Sequence, residues 1–243
     1  MIYNYENLPA DDNLNPYSYC IEVRKQMFIQ KGKMIAYYGS LRFESLGSSL
    51  LDILVQEAFN APLYINDFVV VTGTGKLILG DNRNDIASYD LEKAHLTVKS
   101  SHVLAFESTL TCQESTLPNY LTFLGTGKFI ASSNGPVYFM EPPVRVDEQA
   151  LLGWADAPTP SYHYDYQHVR GVLTAVGAIT GIALSGEEKQ VDFTGEGTVL
   201  VQSSEAELMG CSALQSIMGQ VSGLSQYELQ QLGNAISTRL SQS

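Results

Sequence analysis

Apolar and polar residues alternate on either side of a short glycine-rich stretch, and this pattern occurs three times along the chain. From Val69 to Leu79 the sequence is VVVTGTGKLIL, from Leu121 to Ala131 it is LTFLGTGKFIA, and from Val191 to Val201 it is VDFTGEGTVLV. The places four and two before the first glycine hold Val69 and Val71, Leu121 and Phe123, Val191 and Phe193. The places four and six after it hold Leu77 and Leu79, Phe129 and Ala131, Val199 and Val201. All are apolar, and a period of two sends such side chains to one face of a strand. Two such strands joined through glycines, which accept positive φ at no steric cost, predict an antiparallel hairpin. Gly73 and Gly75, Gly125 and Gly127, and Gly195 and Gly197 are therefore expected at the corners of three hairpins. Burying the flanking side chains other than Ala131 contributes on the order of 16–33 kcal/mol gross, against a larger chain-entropy cost. A lone hairpin is marginal in water, so three on a shared core is the expected arrangement.

A second element recurs with the first. Met34-Ile35-Ala36-Tyr37, Val103-Leu104-Ala105-Phe106 and Leu151-Leu152-Gly153-Trp154 each set two apolar residues before a small one and an aromatic one. The small third residue implies a backbone or a large ring close by. The chain then reads as mainly β, with three repeated antiparallel units at 17–85, 86–135 and 136–203 after a polar, turn-rich arm at 1–16. The outer two units carry insertions. That at about 49–60 has helical spacing in Leu50, Leu51, Leu54, Val55, Ala58 and Phe59 before Pro62; that at about 162–189 leaves helix and strand open, with its place favouring some helix. Beyond Ser203, two capping-box patterns, Ser204 to Glu207 and Ser225 to Glu228, each precede an apolar helical stripe. They predict a C-terminal helical extension over 204–243, hinged at Gly223 and packed on its own chain or on a partner.

Composition narrows the function classes. The 243 residues carry 44% hydrophobic side chains, enough for a sizeable core. A formal charge of -12 repels nucleic-acid phosphates and anionic lipid, and no basic run offsets it. Cys20, Cys112 and Cys211 lack the paired short spacings of a zinc or redox motif and are expected as reduced thiols. No secretory signal pattern opens the sequence and no apolar run is long enough to span a bilayer, so the expectation is a soluble, cytoplasmic protein.

Candidate chemistry is sparse. Thr72-Gly73-Thr74-Gly75-Lys76 has the look of a phosphate loop, but a P-loop places Gly-Lys-Ser/Thr at the start of a helix, whereas Lys76 runs into Leu77-Ile78-Leu79. The best binding surface is the aromatic and histidine-rich Tyr162, His163, Tyr164, Tyr166 and His168, where two histidines and Asp165 lack the fixed spacing of a metal site. His95 and His102 read as surface or edge residues. Gly47-Ser48-Ser49 and Gly210-Cys211-Ser212 miss the second glycine of a nucleophile elbow. No catalytic, cofactor-binding or metal-ligating residue is assigned.

These elements together resemble the mitochondrial biogenesis family named for altered inheritance of mitochondria, whose bacterial members were formerly a domain of unknown function. The resemblance rests on Gln30 to Ala36, Phe68 to Leu79, Ser101 to Phe106 and Gly195 to Ser203, and spans roughly Tyr17 to Ser203. Ser100-Ser101 stands where relatives usually carry Thr-Gly. The resemblance implies a fold like that of the tryptophan RNA-binding attenuation protein: β-sandwich or short double-stranded β-helix units, three per chain, with approximate threefold symmetry. It brings no catalytic residues. The expected function is that of a non-enzymatic scaffold or protein-interaction protein with an unknown protein partner or self-association as a homo-oligomer. The alternative is a small-ligand binder using a groove between repeats.

Overall fold

The structure is a computed structural model, and it describes residues 3–46, 57–164 and 189–204. The strands are β1 (Asp12–Asn15), β2 (Ser18–Val23), β3 (Met27–Gln30), β4 (Met34–Ser45), β5 (Phe59–Asn60), β6 (Phe68–Gly80), β7 (Asp85–Lys99) and β8 (Val103–Glu107). They continue as β9 (Leu110–Glu114), β10 (Tyr120–Ser133), β11 (Val137–Met140), β12 (Val144–Asp147), β13 (Leu151–Asp156), β14 (Thr159–Tyr164), β15 (Lys189–Thr194) and β16 (Gly197–Gln202). The fold is mainly β. Its ladders are antiparallel apart from the two-residue pairing of β5 with β9. Two compact units are present. Among the described residues, one holds 3–46, 57–142, 151–158 and 195–204 and carries a 13-stranded sheet; the other holds 143–150, 159–164 and 189–194, forming the three-stranded sheet β12-β15-β14.

The alternation around the glycines is realised. Ten of the twelve flanking positions are buried, and Val69 and Val201 are half-buried. The hairpin corners are not. β6 runs through Gly73 and Gly75 as one strand of 13 residues, and β10 runs through Gly125 and Gly127 as one of 14. In the third copy Gly195 separates β15 from β16, which pair with different neighbours. Positive φ serves a strand irregularity as well as it serves a turn, so the glycines bend a strand here instead of reversing it. Gly73, at φ +111°, faces β4 so closely that a Cβ would collide with the carbonyl oxygen of Ser40.

Each long strand has one long neighbour or two short ones on each side. β6 pairs along its length with β4, while its other edge takes β3 against Phe68 to Val71 and β2 against Gly75 to Gly80. β10 pairs with β7 along its length, and its other edge takes β9 and then β8. In the third copy β15 lies between β12 and β14, and β16 between β11 and β13. The small residues of the second element take one register: Ala36 stands opposite Ile78, Ala105 opposite Ile130 and Gly153 opposite Leu200, each beside a ladder irregularity. At Gly153 the close neighbour is backbone, since a Cβ there would strike the Thr97 carbonyl.

The core of the larger unit is aromatic. Phe106 lies 4.8 Å from Phe28, 4.9 Å from Phe123 and 5.8 Å from Phe68 between ring centroids, in stacked and edge-on arrangements. Phe59 sits 5.5 Å from Phe28 and 5.4 Å from Phe68. That packing corrects the end of the helix expected over about 49–60: Glu57 and Ala58 are helical, but Phe59 and Asn60 extend into β5 to seat the ring. The rest of that insertion, 165–188 of the second insertion, and the helices expected over 204–243 lie outside the described residues, apart from Ser204 itself.

Candidate interaction surface

Three strands begin with the same apolar-apolar-small-aromatic element and the same register, yet their surroundings differ. β8 lies between β3 and β10, and β13 lies between β7 and β16. Val103, Leu104 and Phe106 are fully buried. β4 pairs only with β6 among the described strands. Met34, Ile35 and Tyr37 are 43%, 61% and 47% exposed, and Tyr38 and Phe43 also face solvent. Twelve residues of strand thus present apolar side chains together with a ladder edge that is unpaired among the described residues. Such an edge is a template for another strand. Charge on β4 is confined to Arg42 and Glu44. β11 is a smaller open edge, paired only with β16 among the described strands, with Tyr138, Phe139 and Met140 exposed.

The entrances to β4 and β8 are tied by a buried polar cluster. Lys33, just before β4, places Nζ 2.5 Å from Oδ1 of Asp81, and Ser132 donates from Oγ to Oδ2 of the same carboxylate at 2.5 Å. His102, just before β8, has Nδ1 3.4 Å from Ser132 Oγ. Burial alone would raise the Asp81 carboxyl; hydrogen bonds from Lys33 and Ser132 outweigh it and hold the group below its usual range. Burial, reinforced by Lys99, pushes His102 down to about 4, so the ring is neutral at pH 7. The residue types are those of an acyl-transfer triad, but their order is not. Asp81 accepts from Ser132 instead of orienting His102, and Ser132 is fully buried. The cluster joins strand ends. The expectation of His102 as a surface or edge residue is corrected: it is 8% exposed. A sequence signal existed, since Lys33 and His102 both stand immediately before the second element.

Lys76, the residue that gave the glycine stretch its phosphate-loop look, is 8% exposed and donates to the carbonyls of Tyr5 at 2.9 Å and Leu8 at 2.6 Å. Its ammonium pins the N-terminal arm. β1 adds to this by pairing with β2.

In the three-stranded sheet, Tyr162 pairs across from Val191 and His163 from Gln190. Residues paired across a ladder share a face, so Tyr162 and Tyr164 lie with Val146, Val191 and Phe193, whereas His163 lies opposite with Arg145 and Asp192. On the first face Lys189 Nζ sits 4.3 Å from the Tyr162 ring centroid and 2.8 Å from Glu148 Oε1. Burial and then Glu148 push the Tyr162 phenol up. On the second, Arg145 holds Asp192 bidentately at 2.5 and 2.9 Å and draws its carboxyl down, with His163 Nδ1 at 3.9 Å. The aromatic and histidine components of the expected surface are therefore separated by the sheet. Tyr166 and His168 lie outside the described residues. No group of three His, Cys, Asp or Glu side chains among the described residues is arranged to hold a metal.

These features define a mainly antiparallel β protein with an aromatic core and, among the described residues, an open apolar sheet edge. The chain belongs to the mitochondrial biogenesis AIM24 family, whose sequence profile matches residues 19–204. A Streptococcus pyogenes protein solved by X-ray crystallography as a structural-genomics target is similar in fold, with a TM-score of 0.57 and 16% sequence identity over 87% of this chain and 96% of that one. No curated protein matches. Among the described residues no helix is long and apolar enough to cross a membrane.

Proposed function

We propose that the chain is a non-enzymatic scaffold that works in the cytoplasm through protein contacts made at open sheet edges. The observation that carries this reading is β4, whose apolar residues are exposed where their counterparts in β8 are buried. An edge of this length is ordinarily blunted by charge, proline or a cover. The common register of Ala36, Ala105 and Gly153 supports a finer architectural reading. In it the chain is three copies of one antiparallel unit with approximate threefold symmetry, as in the tryptophan RNA-binding attenuation protein fold. RNA binding does not follow, because fold does not carry function and the charge of -12 opposes phosphate.

The test is affinity capture from the native cell with the full chain and with an Ile35→Lys, Tyr37→Lys variant. The expected result is a recovered protein, whether a different one or a second copy, that is lost in the variant while its β circular dichroism is kept. Equal recovery from both chains would contradict the role of β4. For the small-ligand alternative, one cleft among the described residues, of about 160 Å³, lies beside Asp11, Glu22, Lys25 and Lys128. That is below the roughly 300–1,000 Å³ of most ligand pockets. Saturable thermal stabilisation by a metal, nucleotide or sugar would favour that reading.

A further inference from the structure

On β2 and β6 the side chains alternate between two faces. Tyr19, Ile21 and Val23 lie in an apolar core with Leu77 and Leu79, so Cys20, Glu22, Lys76 and Ile78 face the other way. A lysine on such a face ordinarily keeps its ammonium in water. Here Lys76 and Cys20 are both buried, and the N-terminal arm lies over Lys76.

Residues 3–11 cross the sheet along one cross-strand row. Glu22 stands opposite Lys76, and Lys76 opposite Tyr38. Asp11 accepts from the backbone N–H of Glu22 at 3.1 Å, Tyr5 and Leu8 set their carbonyls on the Lys76 ammonium at 2.9 and 2.6 Å, and the Tyr38 hydroxyl donates to the Tyr3 carbonyl at 3.2 Å. From Asp11 back to Tyr3 the arm therefore meets β2, β6 and β4 in turn. The Tyr5 ring lies 5.1 Å from Lys76 Nζ, and the Leu8 side chain is buried. The shape of the arm is set locally. Asn4 Oδ1 accepts from the N–H groups of Glu6 and Asn7, Asn7 Oδ1 accepts from the N–H of Asn4, and the N–H of Leu8 donates to the Asn4 carbonyl. Ladder pairing begins at Asp12, and Asp11 just before it has φ at +55°, a left-handed conformation that costs a non-glycine residue.

We infer that residues 3–11 are a strap, latched by Lys76, that lifts and closes about Asp11 while the sheet beneath stays folded, and that closing it seals Cys20. The strap keeps its own turn when it lifts, because the bonds made by Asn4 and Asn7 are internal to it. Lifting returns the ammonium and two carbonyls to water, so hydration replaces the bonds that are lost and the burial of Leu8 is the main quantity given up. A segment held in this way opens at a lower free energy than the ladders it covers. The inference is independent of whether β4 takes a partner.

The test is alkylation of the full, folded chain on a Cys211→Ser background, which leaves Cys20 and Cys112, both buried, with peptide mass spectrometry reading each site separately. Cys112 belongs to the aromatic core and reports opening of the whole unit. Burial pushes the Cys20 thiol up to about 11, and the charge of Lys76 works against that rise. Loss of the charge by itself would therefore slow alkylation of Cys20. The expected result is the reverse: Lys76→Met and Leu8→Ser each speed alkylation of Cys20 about tenfold or more, leave Cys112 within about twofold, and keep the β circular dichroism. Unchanged or slower alkylation of Cys20 in both variants overturns the inference. So does an equal rise at Cys20 and Cys112, which would make the arm one cooperative unit with the sheet. If Lys76→Met does not fold, Leu8→Ser decides by the same criteria.

Discussion

β8 and β4 begin with nearly the same four-residue text and sit in the same register against a glycine-bent strand, but one is core and the other is surface. Val103 to Phe106 is covered because β3 closes its outer edge and the Phe28, Phe68 and Phe123 rings meet Phe106. Met34 to Tyr37 has the same apolar character, but among the described strands it is paired on one side only, and its side chains are exposed. The difference teaches that apolar patterning specifies what a strand face needs, while topology decides which neighbour supplies it.

The sharpest way to break the comparison is to truncate the paired aromatics. Phe106→Ala should cost about 3–5 kcal/mol, as for other fully buried Phe side chains, measured by urea unfolding. Tyr37→Ala, at the matching place in β4, should cost less than about 1 kcal/mol, because the ring is half exposed. Similar costs at both places would mean that β4 is as enclosed as β8.

The cluster joining the two strand entrances gives a pH signature of slightly smaller size. An ordinary histidine titrates near 6.5, but His102 in the folded chain is held down to about 4, so the unfolded chain takes up the proton first as pH falls. Stability should therefore decline by about 3 kcal/mol between roughly pH 6.5 and pH 4 from this residue alone. His102→Gln should flatten that part of the profile. A wild-type slope retained in the variant would place its origin elsewhere.

Smaller again is the effect of the glycine bend. Gly73→Ala forces a side chain into positive φ and against the Ser40 carbonyl, costing about 1–3 kcal/mol from the backbone conformation. Because the collision lies on the β4 side of β6, the variant should loosen β4 before β8, seen as faster amide exchange in the peptide covering 34–45.

Much of this fold is legible in the sequence. The apolar places around Gly73, Gly125 and Gly195 lie inside as their alternation requires, and the small residue at Gly153 does mark a close backbone. The hairpin corners were misleading for a physical reason: a positive-φ glycine is equally at home in a reversing turn and in a bend of a continuous strand, and only cross-strand partners distinguish them. Phe59 has helical spacing in the sequence, but burial among Phe28 and Phe68 draws it into a strand. The polar cluster brings Lys33 and Asp81 to Ser132 across a separation of some fifty residues, a convergence that no local pattern encodes. The exposure of β4 is hidden for the opposite reason, since its residues read like those of a buried strand.

The most direct test of β4 as the exposed counterpart of β8 is amide hydrogen exchange of the 34–45 and 103–107 segments in the purified chain. Slow exchange of 103–107 with clearly faster exchange of 34–45 is the predicted result. Equal protection of the two segments would contradict it.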